Sequence, residues 1–297
     1  MREGGPGAGR RLPDWMRRPI GSSPALAKTR ELLSGLHLHT VCQEARCPNL
    51  AECFGRGTAT FLVMGPVCTR RCAFCAVPKG RPQPLDGSEP ERVAEAARSL
   101  GLTHVVVTSV TRDDLDDGGA GHFATVVNAV RQRCPGAAVE LLVPDFQGDP
   151  DALDLVLAAG PDVLNHNVET VPSLYREVRP GASYRRSLAL SERAAQAGVP
   201  VKSGLMLGLG ETKEEVLAVL ADLRAAGVSY LTLGQYLAPS ADHHPVREFV
   251  TPETFAFYRR RAVEAGFAAV AAGPYVRSSY RAGEMLRWDD NSGGNRS

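Results

Sequence analysis

The sequence predicts an α/β fold, a partial (β/α)6 barrel of the TIM type, on three observations. Short β-branched runs alternate with longer amphipathic segments from residue 61 onward. Six such strand–helix units are present, whereas a closed barrel needs eight. The chain has 297 residues, 43% hydrophobic and 23% charged, enough to bury one core of this kind. The same alternation permits an open doubly wound sheet, and both architectures place function at the C-terminal ends of the strands.

Residues 1–20, rich in Gly, Pro and Arg, read as a mobile arm that Trp15 and Met16 could pin to the body. An N-terminal extension follows over 21–58, then the barrel over 59–270 and a C-terminal extension over 271–297, whose last residues, DDNSGGNRS, have the composition of a disordered tail. Strands are expected at FLVMG (61–65), HVVVTSV (104–110), VELLVPDF (139–146), VLNHNVE (163–169), VKSGLMLG (201–208) and YLTLGQYL (230–237). Helices are expected at EPERVAEAARSLG, GAGHFATVVNAVRQR, DPDALDLVLAAG, RRSLALSERAAQAG and TKEEVLAVLADLRAAG, several ending in the Gly that closes a helix. TPETFAFYRRRAVEAGF adds one more beyond the sixth strand.

Lys and Arg number 34 against 33 Asp and Glu, a formal charge of +1, so no long-range field steers the chain onto nucleic acid or an anionic membrane. Neither is an expected partner. No apolar run approaches the roughly 20 residues that cross a bilayer, and the N-terminus lacks a secretory signal, so a cytoplasmic location is expected.

Six of the seven cysteines fall between residues 42 and 75. A disulfide framework suits small secreted chains with little core, which this chain does not resemble. Cys134, in RQRCPG, follows a helical segment without ligand-type neighbours and reads as structural. Cys68, Cys72 and Cys75 form a Cys-x3-Cys-x2-Cys triplet directly after the first strand. Thiolates match iron and sulfide, four irons need four ligands, and three are offered, which leaves one iron open to a substrate. Cys72-x2-Cys75 could instead supply half of a zinc site completed by two earlier cysteines, although a zinc ribbon needs no barrel. Cys42, Cys47 and Cys53 form a second triplet, Cys-x4-Cys-x5-Cys, in loops bounded by Pro48 and Gly55, again with three thiols.

Around the expected barrel mouth, Gly208 and Gly210 stand between a strand end and a helix start, with Thr212 and Glu215 spaced as a capping box. Such glycines let backbone amides approach an anionic ligand, or simply make a tight turn. NHNVET sets Asn165, His166, Asn167 and Glu169 where a strand interior is normally apolar, and His166 could be a satisfied interior histidine. TSVTRDDL sets Thr108, Ser109 and Arg112 at the second strand end, followed by Asp113 and Asp114, which also suit a solvated helix start.

CTRRCAFC after a first barrel strand, with Phe74 before the last cysteine, resembles the signature of the radical S-adenosylmethionine superfamily. The two triplets in this order resemble the lipoyl synthases within it, as do LPDW, TSVTRDDLDDGG (108–119), NHNVET (165–170), KSGLMLGLGET (202–212), GQYLAPS (234–240) and VRSSY (276–280). The resemblance implies two 4Fe–4S clusters and S-adenosylmethionine as cosubstrate. Cys68, Cys72 and Cys75 would hold the cluster that generates the 5′-deoxyadenosyl radical; Cys42, Cys47, Cys53 and Ser279 would hold an auxiliary cluster that is sacrificed as sulfur donor. A hydroxyl is a harder ligand than a thiolate, so the iron on Ser279 should be the one most easily lost. The cosubstrate would be met by Phe74, Thr108, Ser109, Asn167, Glu169, Gly208 and Gly210, and its carboxylate by Arg185. The implied reaction inserts sulfur at C6 and C8 of a lysine-bound octanoyl chain. Implied partners are octanoylated lipoyl-domain or H-type acceptor proteins, a reductant such as ferredoxin or flavodoxin, and a protein that rebuilds the spent cluster. A methylthiolating relative acting on RNA would bring a basic patch, and an electron carrier or zinc-stabilised binding module would leave the barrel unexplained.

Overall fold

The structure is a computed structural model that describes residues 12–17, 21 and 23–285. An eight-stranded sheet runs in sequence order: β1 (His39–Thr40), β2 (Thr60–Val63), β3 (His104–Ser109), β4 (Ala138–Leu142), β5 (Val163–Asn165), β6 (Val201–Leu207), β7 (Tyr230–Gln235) and β8 (Ala269–Gly273). β1 is antiparallel to β2, and every later pair is parallel. The first and last strands are not paired with each other, so the barrel is open.

All six expected strands are present. β8 is additional because AVAAG is built of small residues that carry little strand signal, and β1 has only two residues. The barrel boundary expected at residue 270 falls inside β8. The run 163–169 leaves the ladder after Asn165, and Glu169, with φ +64°, rejoins it by a single bridge to Leu205.

Three helices of the N-terminal extension, α1 (Pro24–Gly35), α2 (Val41–Glu44) and α3 (Leu50–Gly55), precede β2. The crossovers are α4 (Glu89–Ser99), α5 (Ala120–Arg133), α6 (Pro150–Ala158), α7 (Tyr175–Val178), α8 (Tyr184–Gln196), α9 (Lys213–Ala225) and α10 (Pro252–Glu264). Local chemistry sets their starts. Ser23, Thr40, Asp149, Ser183 and Thr251 each cap a helix with a side-chain oxygen, and Thr212 with Glu215 forms the expected capping box.

Strand alternation separates two environments. Phe61, Val63, Val105, Val107, Val139 and Leu141 are buried in the apolar core with helix residues such as Val93, Phe123 and Val127. The alternate residues turn inward, and there Thr60, His104, Thr108, Thr232, Gly204 and Gly234 line a cavity of about 750 Å³. The barrel interior is therefore hollow, with polar groups set into a partly apolar wall, where a closed TIM barrel is packed solid.

The C-terminal segment crosses this interior. A Cβ on Gly234 would overlap the carbonyl oxygen of Val276, and one on Gly283 would press on His104. Beyond it, Met285 packs on Val163, Tyr230 and Ala269, the first residues of β5, β7 and β8, so the segment reaches the barrel floor. The tail expected to be disordered lies outside the described residues, as does most of the arm. Of the arm's landmarks, Met16 is buried, accepting a hydrogen bond from the Tyr275 hydroxyl, and Trp15 is exposed.

Candidate functional site

Both cysteine triplets line the same cavity: Cys68, Cys72 and Cys75 in the loop after β2, and Cys42, Cys47 and Cys53 from α2, α3 and the turn between them. All seven cysteines are free. The first loop is fixed by its backbone. Cys68 N–H donates to Pro78 O at 2.8 Å, Ala73 N–H to Val178 O at 2.9 Å, and Ala73 O accepts from His244 N–H at 2.9 Å. Phe74 packs with Val178, Leu209 and Tyr236 at the cavity edge.

The donor set fits iron–sulfur clusters. Burial pushes the thiols up, Cys42 to about 11, Cys53 and Cys75 to about 12, and Cys47 and Cys72 in the same direction. Such thiols become thiolates only beside a strong positive centre, which coordinated iron provides. Amide donors already point at sulfur. Arg70 and Thr111 N–H donate to Cys68 Sγ at 3.4 and 3.3 Å, and the amides of Thr60, Asn49 and Val77 donate to Cys42, Cys47 and Cys75. Hydrogen bonds of this kind tune cluster thiolates.

Ser279 lies beside the second triplet. Thr60 Oγ1 donates to Ser279 Oγ at 2.7 Å, and Thr60 lies beside Cys42. The C-terminal segment is fastened to that triplet by side chains from its own helices. Asn49 Nδ2 donates to Tyr275 O at 2.7 Å, and Glu52 accepts from Tyr280 Oη at 2.9 Å and from Arg281 at 3.2 Å. Arg277 is half-buried, with Cys47 near its guanidinium.

The expected cosubstrate residues divide. Thr108, Ser109, Asn167 and Glu169 line the cavity. Ser109 Oγ is buried with no partner among the described residues, so the pocket leaves a donor for a ligand. Glu169, in its left-handed backbone, is held up in pKa by burial and accepts from Asn167 Nδ2 at 3.1 Å. Arg185 does not reach the cavity, because its place near the start of α8 exposes it to solvent. Arg179 is the guanidinium that faces inward. It is buried, donates through Nη1 to Asn167 O and Val168 O, and keeps Nε without a partner.

Gly208 and Gly210 do not line the cavity, and their amides, with that of Leu209, donate to the Glu211 carboxylate of the same turn. The anion expected there is the chain's own. A Cβ on Gly208, at φ +94°, would overlap Glu248 O and Gln235, so this glycine serves the turn. Asp113 and Asp114 pair with Arg70 and Arg112, and Asp145, absent from the sequence-based reading, bridges Arg70 at 2.6 Å and Arg186 at 2.9 Å at the cavity wall. Cys134 sits against the core, away from the cavity.

Two family profiles match the chain. The radical SAM superfamily matches residues 62–223, and the N-terminal domain of lipoyl synthase of the radical SAM family matches residues 3–47. The lipoyl synthase of Geobacter metallireducens is 57% identical over 274 residues, covering 92% of this chain and 96% of its own, and that of Trichlorobacter lovleyi is 58% identical over 275 residues, covering 92% and 97%. The chain belongs to the lipoyl synthase family. It is thus a radical SAM sulfur-inserting enzyme that works with S-adenosylmethionine and 4Fe–4S clusters. Methylornithine synthase shares the fold, with a TM-score of 0.54 at 16% identity over 93% of this chain and 95% of that one. So does HydG, a hydrogenase maturase, at 0.54 and 15% over 86% and 68%. No helix among the described residues is long and apolar enough to cross a membrane.

His166 is a framework residue of this lipoyl synthase fold. Its Nδ1 meets Val143 O at 2.8 Å and its Nε2 the Ser187 hydroxyl at 2.9 Å, which suits the neutral ring protonated at Nδ1. Burial, with Arg179 nearby, lowers its pKa to about 4. The unfolded chain therefore binds a proton that the folded one refuses, and stability falls as pH drops from the ordinary histidine range toward 4. The loss is about 2 kcal/mol at pH 5, roughly 4–8 °C in Tm. Scanning calorimetry at pH 7.5 and 5 is expected to find a smaller drop in His166→Asn; an equal drop would contradict this.

Proposed function

We propose that Cys68, Cys72 and Cys75 hold the radical-generating cluster of a lipoyl synthase, and that Cys42, Cys47, Cys53 and Ser279 hold its sulfur donor. The substrate is an octanoyl group on a lysine of a lipoyl-domain or H-type acceptor protein, with sulfur entering at C6 and C8. When bound, the first cluster with S-adenosylmethionine supplies a 5′-deoxyadenosyl radical, and the second supplies sulfur.

The observation that carries this reading is that both triplets border one cavity, crossed by the segment that bears Ser279. The rest of the chain's own residues fit around it. Asn167 and Glu169 offer acceptors to the cosubstrate's ribose and amino groups, and Arg179 offers a buried cation to its carboxylate. Leu62, Val106 and Leu142, on three adjacent strands, give the cavity an apolar wall for an eight-carbon chain.

In this reading 1–20 is an arm, and the extensions expected at 21–58 and 271–297 build the auxiliary site around a barrel whose last strand, β8, runs on to Gly273. A ferredoxin or flavodoxin supplies electrons, and a separate protein rebuilds the spent cluster. A cytoplasmic location accords with six closely spaced thiols that must stay reduced.

The test is anaerobic mass spectrometry of an octanoyl-lysyl peptide incubated with iron-loaded protein, S-adenosylmethionine and a strong reductant. A product with two added sulfurs, abolished in Cys42→Ala, is expected. Formation of 5′-deoxyadenosine with no sulfur in the peptide would discard the substrate.

A further inference from the structure

Ser278 has no part in the functions assigned so far, yet its hydroxyl joins the two halves of the site. It donates to Asn167 Oδ1 at 2.8 Å and accepts from Asn165 Nδ2 at 3.1 Å. The two asparagines differ in what lies behind them. Asn165 is locked: its Nδ2 also donates to Glu140 at 2.9 Å, and Glu140 is held by Lys202 at 2.9 Å and by His104 at 3.1 Å. Glu140 and Lys202 are each 1% exposed. Although burial would raise Glu140, the Lys202 ammonium and His104 hold its pKa down at about 2, so this anchor stays ionised. Asn167 instead faces the cavity and donates to Glu169, the pair assigned to the cosubstrate.

We infer that Ser278 is a positioning residue that transmits occupancy of the cosubstrate pocket to the adjacent iron ligand Ser279. This rests on the proposed roles of Asn167, Glu169 and Ser279. An arriving ribose hydroxyl or ammonium needs acceptors, and the acceptors on offer are Glu169 and Asn167 Oδ1. It competes with Asn167 Nδ2 for the first and with Ser278 for the second. Because the Asn165 side is fixed by a buried charge cluster, the slack appears at the Ser278 turn. Ser279 is the next residue, and its grip on iron weakens. The auxiliary cluster would then be readied for breakage only when a radical source is bound.

The experiment follows release of iron from anaerobic holoenzyme to a chelator, with and without S-adenosylmethionine and without reductant, so that no turnover contributes. In the wild type, cosubstrate is expected to speed loss of the labile iron about 3–10-fold, the range one hydrogen bond is worth. Ser278→Ala is expected to release it at the faster rate in both conditions and, by calorimetry, to bind cosubstrate about 3–10-fold more tightly, since the bond that cosubstrate displaces is gone. A Ser278→Ala chain that releases slowly alone and faster with cosubstrate, as the wild type does, would overturn the coupling.

Controls separate this from failure of the underlying roles. Ser279→Ala should release fast regardless of cosubstrate; slow release there removes the ligand assignment and the inference with it. Unchanged cosubstrate affinity in Glu169→Gln removes the pocket assignment in the same way. Should Ser278→Ala load no auxiliary iron, Ser278→Thr is compared instead. It keeps the hydroxyl, so a retained cosubstrate response supports the coupling and a lost one overturns it.

Discussion

Gly234→Ala is expected to lose the auxiliary cluster and keep the radical one. Gly234 lies in β7 facing the cavity, and the added methyl would overlap Val276 O while meeting the Arg277 guanidinium at 3.2 Å. A side chain could rotate away, but a carbonyl in the middle of a fastened segment cannot. Overpacking of a tight site typically costs about 1–3 kcal/mol. The chain's least expensive response is to release the segment that carries Ser279, together with its bonds to Asn49 and Glu52. The triplet of Cys68, Cys72 and Cys75 is held by Pro78, Val178 and His244 and is untouched. Iron should therefore fall from about eight to about four per chain, the loss of one four-iron cluster. Cleavage of S-adenosylmethionine should persist, and sulfur insertion should drop by about 100-fold or more, of the order of 3 kcal/mol. Full iron with wild-type product would contradict the clash.

The second large effect is a split between the two triplets. Cys72→Ala is expected to abolish 5′-deoxyadenosine and product together while leaving about four irons per chain. Cys72 is the middle thiol of its loop and lines the cavity, and the two thiols left by the substitution cannot hold a four-iron group. Cys47→Ala is expected to do the reverse, keeping 5′-deoxyadenosine formation and losing sulfur transfer. Iron and acid-labile sulfide analysis beside chromatography of the nucleoside separates the cases. Loss of both clusters in either variant would mean that the triplets do not act independently.

Much of this site is written in local spacing, which is why it was legible. Six thiols within one stretch name their own chemistry, and the β-branched runs name six of the strands. What sequence did not convey depends on which strands are neighbours. Glu140 and Lys202 each interrupt an apolar run, and each alone reads as an anomaly. They pair because β4, β5 and β6 lie side by side, bringing Glu140, Asn165 and Lys202 together. Polar residues at alternate positions of buried parallel strands were the available sign of a hollow barrel, since such strands are otherwise continuously apolar.

Arg179 was missed for a local reason. α7 is a single turn, and the loop from Arg179 to Ser183 turns the first arginine inward before α8 exposes Arg185. Gly234 stood in a motif, but the segment it admits lies some forty residues further along the chain. The turn of Gly208 to Gly210 suited an anion, and one residue on, Glu211 supplies it.

In the proposed reaction the auxiliary cluster on Cys42, Cys47, Cys53 and Ser279 is the sulfur source for chemistry initiated across the same cavity. This is tested most directly by loading the protein with isotopically heavy sulfide, removing all free sulfide, and weighing the octanoyl-lysyl peptide product of one turnover. A product whose two inserted sulfurs are both heavy is expected. A product whose sulfur is light, in the presence of an external light source, would contradict it.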